Sequence, residues 1–467
     1  MTASEYDVLI LGAGPAGYVG AIRAAQLGAS VAIVEKDNWG GTCLNRGCIP
    51  SKALIHAAEA IQLAREGKSF GVIFGEPQIN WDGVRKFKSR AVKQLTSGVA
   101  TLLKANKVAM FVGDARFVGE REVQVTSADG STETIRAKNV LIATGSTPFI
   151  PPIPGIDSPN VYTSDQMVDL PGPFESLAIV GAGAIGCEFA YIYSQLGTKV
   201  TVIEMLPQAV PTEDPDVAEV LTKALRKASV TILTGAKVVG VQDVDGRKRV
   251  EYEQEGETAA IEADAILMAV GRRAVLDIGL DAAGVETERP GIKVDERLQT
   301  SAENVYAAGD CIRGIGLAHL ASHEAIAAVE NALGEQGHVN YDCVPACIFT
   351  HPEIASVGLK EKQARDEGRE ITVGKFPFSA NSRAGAVRAR EGFVKLIADA
   401  SSGQLIGACI VGPSAAELIH APTVAIELGA TIDEVADTIF AHPTFSEAIH
   451  EAALNALGRT IHMPPGK

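Results

Sequence analysis

A doubly wound α/β fold, laid down twice along the chain, is what this sequence predicts, and three observations predict it. Residues 8–35, VLILGAGPAGYVGAIRAAQLGASVAIVE, align without a gap onto 177–204, LAIVGAGAIGCEFAYIYSQLGTKVTVIE, and eleven of the twenty-eight positions are identical. Each copy reads apolar strand, Gly-x-Gly-x-x-Gly, amphipathic helix, a glycine at the helix end, a second strand and a closing glutamate. The length, 467 residues, exceeds what one hydrophobic core fills, so about two to four domains are expected.

Composition narrows the class. A hydrophobic content of 46% with 21% charged residues is that of a soluble globular protein. No apolar run reaches the roughly 18 residues of a membrane span. The formal net charge of −15 disfavours nucleic acid and anionic membrane as partners. The first strand-like run starts at Tyr6, leaving no room for a basic, cleavable leader, and a cytoplasmic location is expected. Seven cysteines in this length are no secreted disulfide framework. Cys187, Cys311, Cys343, Cys347 and Cys409 have small or apolar neighbours and read as core thiols. Cys343 and Cys347 lack a second pair nearby, so no metal site is expected.

Within each repeat the glycines have separate tasks. Gly12 and Gly181 make the tight turn, Gly14 and Gly183 let backbone approach a pyrophosphate, and Gly17 and Gly186 let helix and strand close. Glu35 and Glu204 end the second strands, placed to accept hydrogen bonds from an adenosine ribose. After Glu204 comes Met-Leu-Pro-Gln-Ala-Val210, with no Arg or Lys to meet a 2′-phosphate, so the second unit is expected to take NAD rather than NADP.

The first unit leads directly into Gly40-Gly-Thr-Cys43-Leu-Asn-Arg-Gly-Cys48-Ile-Pro-Ser-Lys52. Two cysteines five apart on a regular helix would sit about 8.6 Å apart at Cα, too far for a disulfide. A distorted first turn, allowed by Gly47 and Pro50, brings them within reach. A disulfide beside a nucleotide site is a redox device, and a flavin exchanges electrons with it better than a nicotinamide does. FAD is therefore expected in the first unit. Cys48 and Lys52 share one helix face, so helix N-terminus and ammonium should lower the Cys48 pKa. Glu188, early in the second unit's helix, is a candidate partner for Lys52.

Three further segments carry chemistry. Val140-Leu-Ile-Ala-Thr144-Gly145-Ser146 is a strand ending in a small-residue turn where the chain can leave the first domain. Val305-Tyr-Ala-Ala-Gly309-Asp310 is a strand ending in an acid suited to a ribityl chain, and Leu317-Ala318-His319 reads as a helix start whose dipole could face a reduced isoalloxazine. In Ala441-His442-Pro443-Thr444-Phe-Ser446-Glu447, the carboxylate can fold back on the imidazole. That pairing fixes the tautomer and suits a general base for a thiol.

With GGTCLNRGCIPSK, both glycine fingerprints, ATGS, AVGRR at 269–273, VYAAGDC, FTHPEIASVG, FPFSANSRA and AHPTFSE, the whole chain resembles the class I pyridine nucleotide-disulfide oxidoreductases, and among them the dihydrolipoamide-oxidising branch. The resemblance implies two Rossmann-like domains, for FAD and NAD, plus a C-terminal α+β dimerisation domain. The implied divisions are 1–148 (first part of the FAD domain), 149–272 (NAD), 273–342 (central, completing the FAD site) and 343–467 (interface). It implies a homodimer in which His442 and Glu447 of one subunit complete the disulfide site of the other. Cys43 would be the interchange thiol, Cys48 the thiolate against the flavin, Lys52 with Glu188 would lie near flavin N5, and His442 oriented by Glu447 would be the base.

Further FAD contacts are implied at Lys36, Gly41, Thr42 and Ala115, besides Thr144, Gly145, Ser146, Asp310 and residues 317–319. Further NAD contacts are implied at Ile185, Val238 and Gly271. The implied partner is a lipoyl-bearing acyltransferase or glycine-cleavage carrier protein of a multienzyme complex. Glutathione- or mercury-reducing members and a flavin redox sensor are the competing readings. Arg46 departs from the family's frequent apolar residue, and its charge could shift the disulfide's potential. Leu320, Ser322 and His323, and Ala274 after AVGRR, are further departures.

Overall fold

In the computed structural model of the protein, residues 4–312 and 316–464 are described. The first repeat forms β1 (Ser4–Leu11), α1 (Pro15–Gln26) and β2 (Val31–Glu35) in the expected order. Then come α2 (Gly41–Asn45), α3 (Cys48–Glu66), the long α4 (Trp81–Ala105), β3 (Ala109–Val112), β4 (Asp114–Gly119), β5 (Glu122–Thr126) and β6 (Thr132–Ile142). The sheet runs β3-β2-β1-β6-β5-β4. β1 lies parallel between β2, with Val8 opposite Val31, and β6, with Val8 opposite Asn139. Every residue of β2 is buried, which is why it reads as a continuous apolar run rather than an alternation.

The chain leaves this sheet through β7 (Ser146–Pro148), β8 (Val161–Thr163) and α5 (Ser164–Met167). The second repeat supplies β9 (Ser176–Val180), α6 (Ala184–Gln195) and β10 (Lys199–Glu204), followed by α7 (Pro215–Lys227) and β11 (Thr231–Thr234). An antiparallel meander, β12 (Ala236–Val244), β13 (Arg247–Gln254) and β14 (Glu257–Ala263), precedes β15 (Ala265–Met268), which completes a sheet ordered β11-β10-β9-β15-β8. β16 (Arg272–Ala274) pairs antiparallel with β7, so the outgoing and returning crossings run side by side. After the short pair β17 (Thr287–Glu288) and β18 (Gly291–Ile292), β19 (Val305–Ala307) joins the first sheet parallel to β6, Val305 opposite Val140. The second repeat is thus inserted between two neighbouring strands of the first sheet. α8 (Ala318–Ala332) then packs on α1.

The C-terminal part is α+β. It holds β20 (Ala346–Ile348), β21 (Glu353–Gly358), α9 (Glu361–Asp366), β22 (Ile371–Pro377), α10 (Ser382–Val387), β23 (Phe393–Asp399) and β24 (Leu405–Gly412). Four helices end the chain: α11 (Ala415–Leu418), α12 (His420–Glu427), α13 (Ile432–Asp437) and α14 (Glu447–Ala456). Its antiparallel sheet is ordered β20-β21-β24-β23-β22, and α14 covers β22 and β23 around Phe376, Leu396 and Ile449. On its outer surface Leu428 and Ile439 are exposed at 79% and 96%. Among the described residues no helix is long and apolar enough to cross a membrane.

Candidate functional site

The two glycine turns are superimposable in design. Gly12 and Gly181 turn at φ +100° and +102°, where a Cβ would meet the Ala143 and Ala269 carbonyl oxygens at 2.4 and 2.5 Å. At Gly17 and Gly186 a Cβ would lie 1.8 and 2.0 Å from the carbonyl oxygens of Gly12 and Gly181, so only glycine lets helix and turn close. Gly14 is different: a Cβ there would find only Gly41 Cα, at 3.9 Å, and at Gly183 no described atom within 4 Å. Neither α1 nor α6 carries an acid in its first turn or a side-chain cap, which leaves the first-turn amides for an anion.

The acids at the strand ends match as well. Glu35 accepts hydrogen bonds from the Ala13 and Asp37 amides, both at 2.8 Å. Glu204 accepts from Ala182 at 2.6 Å and Leu206 at 2.8 Å. Each oxygen keeps acceptor capacity for a ribose hydroxyl. Burial pushes the Glu35 carboxyl above its usual range. Open space at the second glycine, uncapped helix N-termini and held carboxylates fit a dinucleotide in each unit. Lys36 is exposed beside Glu35, and Ile185 is the second residue of α6.

The cysteine segment is pinned to the first turn. Gly40 donates to the Ala13 carbonyl at 2.9 Å, and a Cβ on Gly41 would fall 2.5 Å from Gly14 Cα. Thr42 and Cys43 lie on α2, and α3 begins at Cys48 with Pro50 in its first turn. The expected distortion is thus a break between two helices, at Arg46 and Gly47, rather than a bent first turn of one. Cys43 and Cys48 face each other across this break, within reach of a thiol–thiol hydrogen bond. The hydrogen bond from Cys43 and, against burial, the Lys52 ammonium bring Cys48 down to about 7. The same bond, burial and the Cys48 charge hold the proton on Cys43 and raise its pKa. Cys48 is therefore the thiolate of the two. Below that value the pair is neutral and above it the thiolate forms, so alkylation of the reduced protein should rise with pH through a midpoint near about 7. A midpoint at the ordinary 9 would contradict this assignment.

Lys52 Nζ donates to both Glu188 oxygens at 2.9 Å. Glu188 is buried rather than a solvated helix-end acid. A third member was missed in the sequence: the Phe349 amide donates to Glu188 Oε1 at 3.0 Å, and its ring lies 4.4 Å from Lys52 Nζ. Its only signal was its place in FTHPEIASVG. Arg46, between the two cysteines, ion-pairs with Asp37, and its charge works against the effect of burial on the Glu35 carboxyl.

Asp310 sits at the end of a relay. Ser146 Oγ donates to it at 2.6 Å. Arg272 Nε donates to that hydroxyl at 2.8 Å and Arg272 Nη1 to Asp165 at 2.9 Å. The Thr144 hydroxyl is committed to the Val275 carbonyl at 2.7 Å, and Gly145 and Gly271 have φ of +68° and +121°. Leu317 caps α8 and Ala318 opens it, with no acid in the first turn. The His319 ring instead reaches the Pro345 carbonyl at 2.7 Å. Ala115 is half-buried on β4, and the Val238 side chain is buried in the core beneath β12. Neither brings a polar side chain to a nucleotide.

His442 Nδ1 and Glu447 Oε1 are 2.8 Å apart, and the Thr444 amide donates to Glu447 Oε2 at 2.8 Å. Burial pushes the Glu447 carboxyl up, but the Thr444 amide and the imidazole together hold it below its ordinary value. The pair sits at the start of α14, with the His442 side chain 67% exposed. Among the described residues, no hydrogen bond or ion pair of this chain joins it to Cys43, Cys48 or Lys52. Of the remaining cysteines, Cys187, Cys311, Cys343 and Cys409 are buried core thiols, whereas Cys347, expected with them, is only half-buried at the core's margin. Burial pushes Cys187 to about 12 and Cys311 and Cys343 to about 11.

Comparison with known proteins agrees with this geometry. Residues 6–325 match the pyridine nucleotide-disulphide oxidoreductase family, and residues 344–453 match that family's dimerisation domain. A dihydrolipoyl dehydrogenase from Geobacillus stearothermophilus is 43% identical over 469 residues, covering 99% of this chain and 98% of the relative. Among solved structures, LpdA from Mycobacterium tuberculosis superposes with a TM-score of 0.89 at 30% identity, over 97% of this chain and 99% of that one. The HOCl-induced flavoprotein disulfide reductase RclA from Escherichia coli, solved as a Cu(II) complex, gives 0.86 at 29% identity, over 97% and 99%.

Proposed function

The chain belongs to the pyridine nucleotide-disulphide oxidoreductase family, and from that premise we propose that it oxidises protein-bound dihydrolipoamide to lipoamide and reduces NAD to NADH. The observation that carries this reading is the Cys43–Cys48 pair, held against the first glycine turn through Gly40 and Gly41 and polarised so that Cys48 is the thiolate.

The residues divide the work. His442, oriented by Glu447, takes a proton from the substrate dithiol. The substrate thiolate attacks Cys43 Sγ of the oxidised pair; the Cys43–Cys48 bond breaks and Cys48 leaves as thiolate. The second substrate thiol attacks the mixed disulfide, releasing cyclic lipoamide and the Cys43 thiol. Lys52, held by Glu188 and Phe349, keeps a positive charge beside Cys48. Bound FAD would supply the two-electron chemistry that links the reduced dithiol to hydride transfer to NAD. Gly12, Gly14, Glu35 and Asp310 would hold the first cofactor, and Gly181, Gly183 and Glu204 the second.

The chain carries the family's dimerisation domain and forms a homodimer. The His442–Glu447 pair, unconnected to its own chain's cysteines, would act on those of the partner subunit. The divisions at 148, 272 and 342 belong to this proposal, supported by the return of β19 to the first sheet. So do a lipoyl-bearing acyltransferase or glycine-cleavage carrier as the docking partner and a cytoplasmic location.

A substrate panel tests the reading. Dihydrolipoamide with NAD should give NADH at rates far above those with glutathione or with NADP. Preference for glutathione disulfide, Hg(II) or no disulfide substrate at all would overturn it. Cofactor choice has its own test. Glu204→Gln with Met205→Arg should lower the NAD-over-NADP preference by at least about tenfold, since one charge contact is worth about 1.4 kcal/mol or more. An unchanged ratio would remove Glu204 from ribose recognition.

A further inference from the structure

The segment between the second unit's strand β10 and helix α7 is held by a buried set of charges that the redox chemistry does not use. Lys395, on β23, is 1% exposed at its side chain and donates to Asp214 at 2.9 Å, Asp216 at 2.8 Å and Glu361 at 3.1 Å. Asp216 also accepts from Lys375 at 2.7 Å. Asp214, itself 4% exposed, accepts the Glu361 and Lys362 amides at 3.2 and 3.1 Å. It thus caps a helix of the C-terminal domain from the nucleotide unit. Lys360 pairs with the buried Glu213 at 2.8 Å and also donates to the Thr212 carbonyl. A lysine this deep is tolerated only when its neighbours compensate its charge and its hydrogen bonds, and here they come from both domains.

The anchored segment leads back to the second glycine turn. Gln208 Nε2 donates to the Glu213 carbonyl at 2.9 Å, and the Val210 amide donates to the Ala182 carbonyl at 2.8 Å. Ala182 lies between Gly181 and Gly183, and its amide is the group that Glu204 accepts from. The nucleotide turn is therefore gripped on its carbonyl side by Val210 and on its amide side by Glu204. Val210 is buried and holds φ +41°, the left-handed region that a β-branched residue enters only when its surroundings force it. Its carbonyl accepts the Glu213 amide at 2.8 Å, which ties this turn to the charged cluster through the buried Glu213.

We infer that Lys395 is a positioning residue for the second nucleotide site: through Asp214 and Asp216 it clamps residues 205–214 so that Val210 holds Ala182 and the glycine turn in the binding geometry. The interface domain, none of whose described hydrogen bonds reaches that turn, thereby sets NAD affinity. The inference rests on the assignment of NAD to this unit.

Equilibrium titration of the oxidised, FAD-loaded dimer with NAD tests it. Lys395→Met should raise the NAD dissociation constant by about tenfold or more, with FAD per chain unchanged. Lys360→Met, which loosens the same segment from a less buried position, should move it in the same direction by less, and is read alone should the first variant fail to fold. Wild-type NAD affinity in the variants, whatever happens to their melting temperatures, would reduce the cluster to a structural clasp and overturn the inference. Wild-type protein that binds no NAD would instead remove the functional reading on which it stands.

Discussion

Cys48→Ser should abolish dihydrolipoamide-dependent NADH formation, lowering kcat by at least about 10⁴-fold, while FAD remains bound at one per chain. Serine is nearly isosteric, and the backbone it sits in is held without it. The Ser51 amide and hydroxyl bond to the Gly47 carbonyl at 3.1 and 2.8 Å, and Gly40 stays on Ala13. What is lost is chemical. Cys43 keeps a thiol but has no partner sulfur to bridge, so no S–S bond exists for the substrate to attack. Turnover retained within tenfold would mean that electrons reach the flavin by another route.

His442→Gln should slow reduction by dihydrolipoamide by about 10² to 10⁴-fold, the usual contribution of a general base. Glutamine can still donate to Glu447, so the turn at Thr444 survives, but it cannot take a proton at neutral pH. Electron transfer from NADH to an artificial dye does not involve a substrate thiol and should be essentially unaffected. Equal losses in both reactions would mean that the side chain supports the interface rather than the proton transfer. On the proposed reading, the base of one subunit serves the cysteines of the other. Mixing Cys48→Ser subunits with His442→Gln subunits should therefore yield heterodimers with one intact site.

Much of this was legible from local pattern. The glycine fingerprints, their closing glutamates and the spacing from Cys43 to Lys52 are short-range features, and each maps onto one strand, turn or helix. The His442–Glu447 pair spans five residues and was equally readable. The Lys52–Glu188 pair could only be offered as a candidate, because 136 residues separate its members and only the packing of α3 on α6 brings them together.

What pattern does not carry is long-range partnership. Nothing near Arg46 says that its guanidinium turns to Asp37 rather than to the sulfurs. Phe349 lies far along the chain from the lysine it covers. Lys395 sits in Phe393-Val-Lys-Leu-Ile-Ala-Asp399, where alternation would place it with the apolar residues of a β-strand; two of its three carboxylates, Asp214 and Asp216, come from a separate domain. The helix break at Arg46 and Gly47 was also only partly visible, since glycine and proline mark where a distortion is allowed, not its form.

Thiol counting under denaturing conditions bears most directly on the central claim. The chain has seven cysteines, and the air-oxidised, FAD-loaded protein should show two fewer titratable thiols. Anaerobic NADH should restore those two, lipoamide should then remove them again, and Cys48→Ser should show no change at any stage. A count that stays constant in the wild-type protein through this cycle, with NADH consumed all the same, would contradict a Cys43–Cys48 relay.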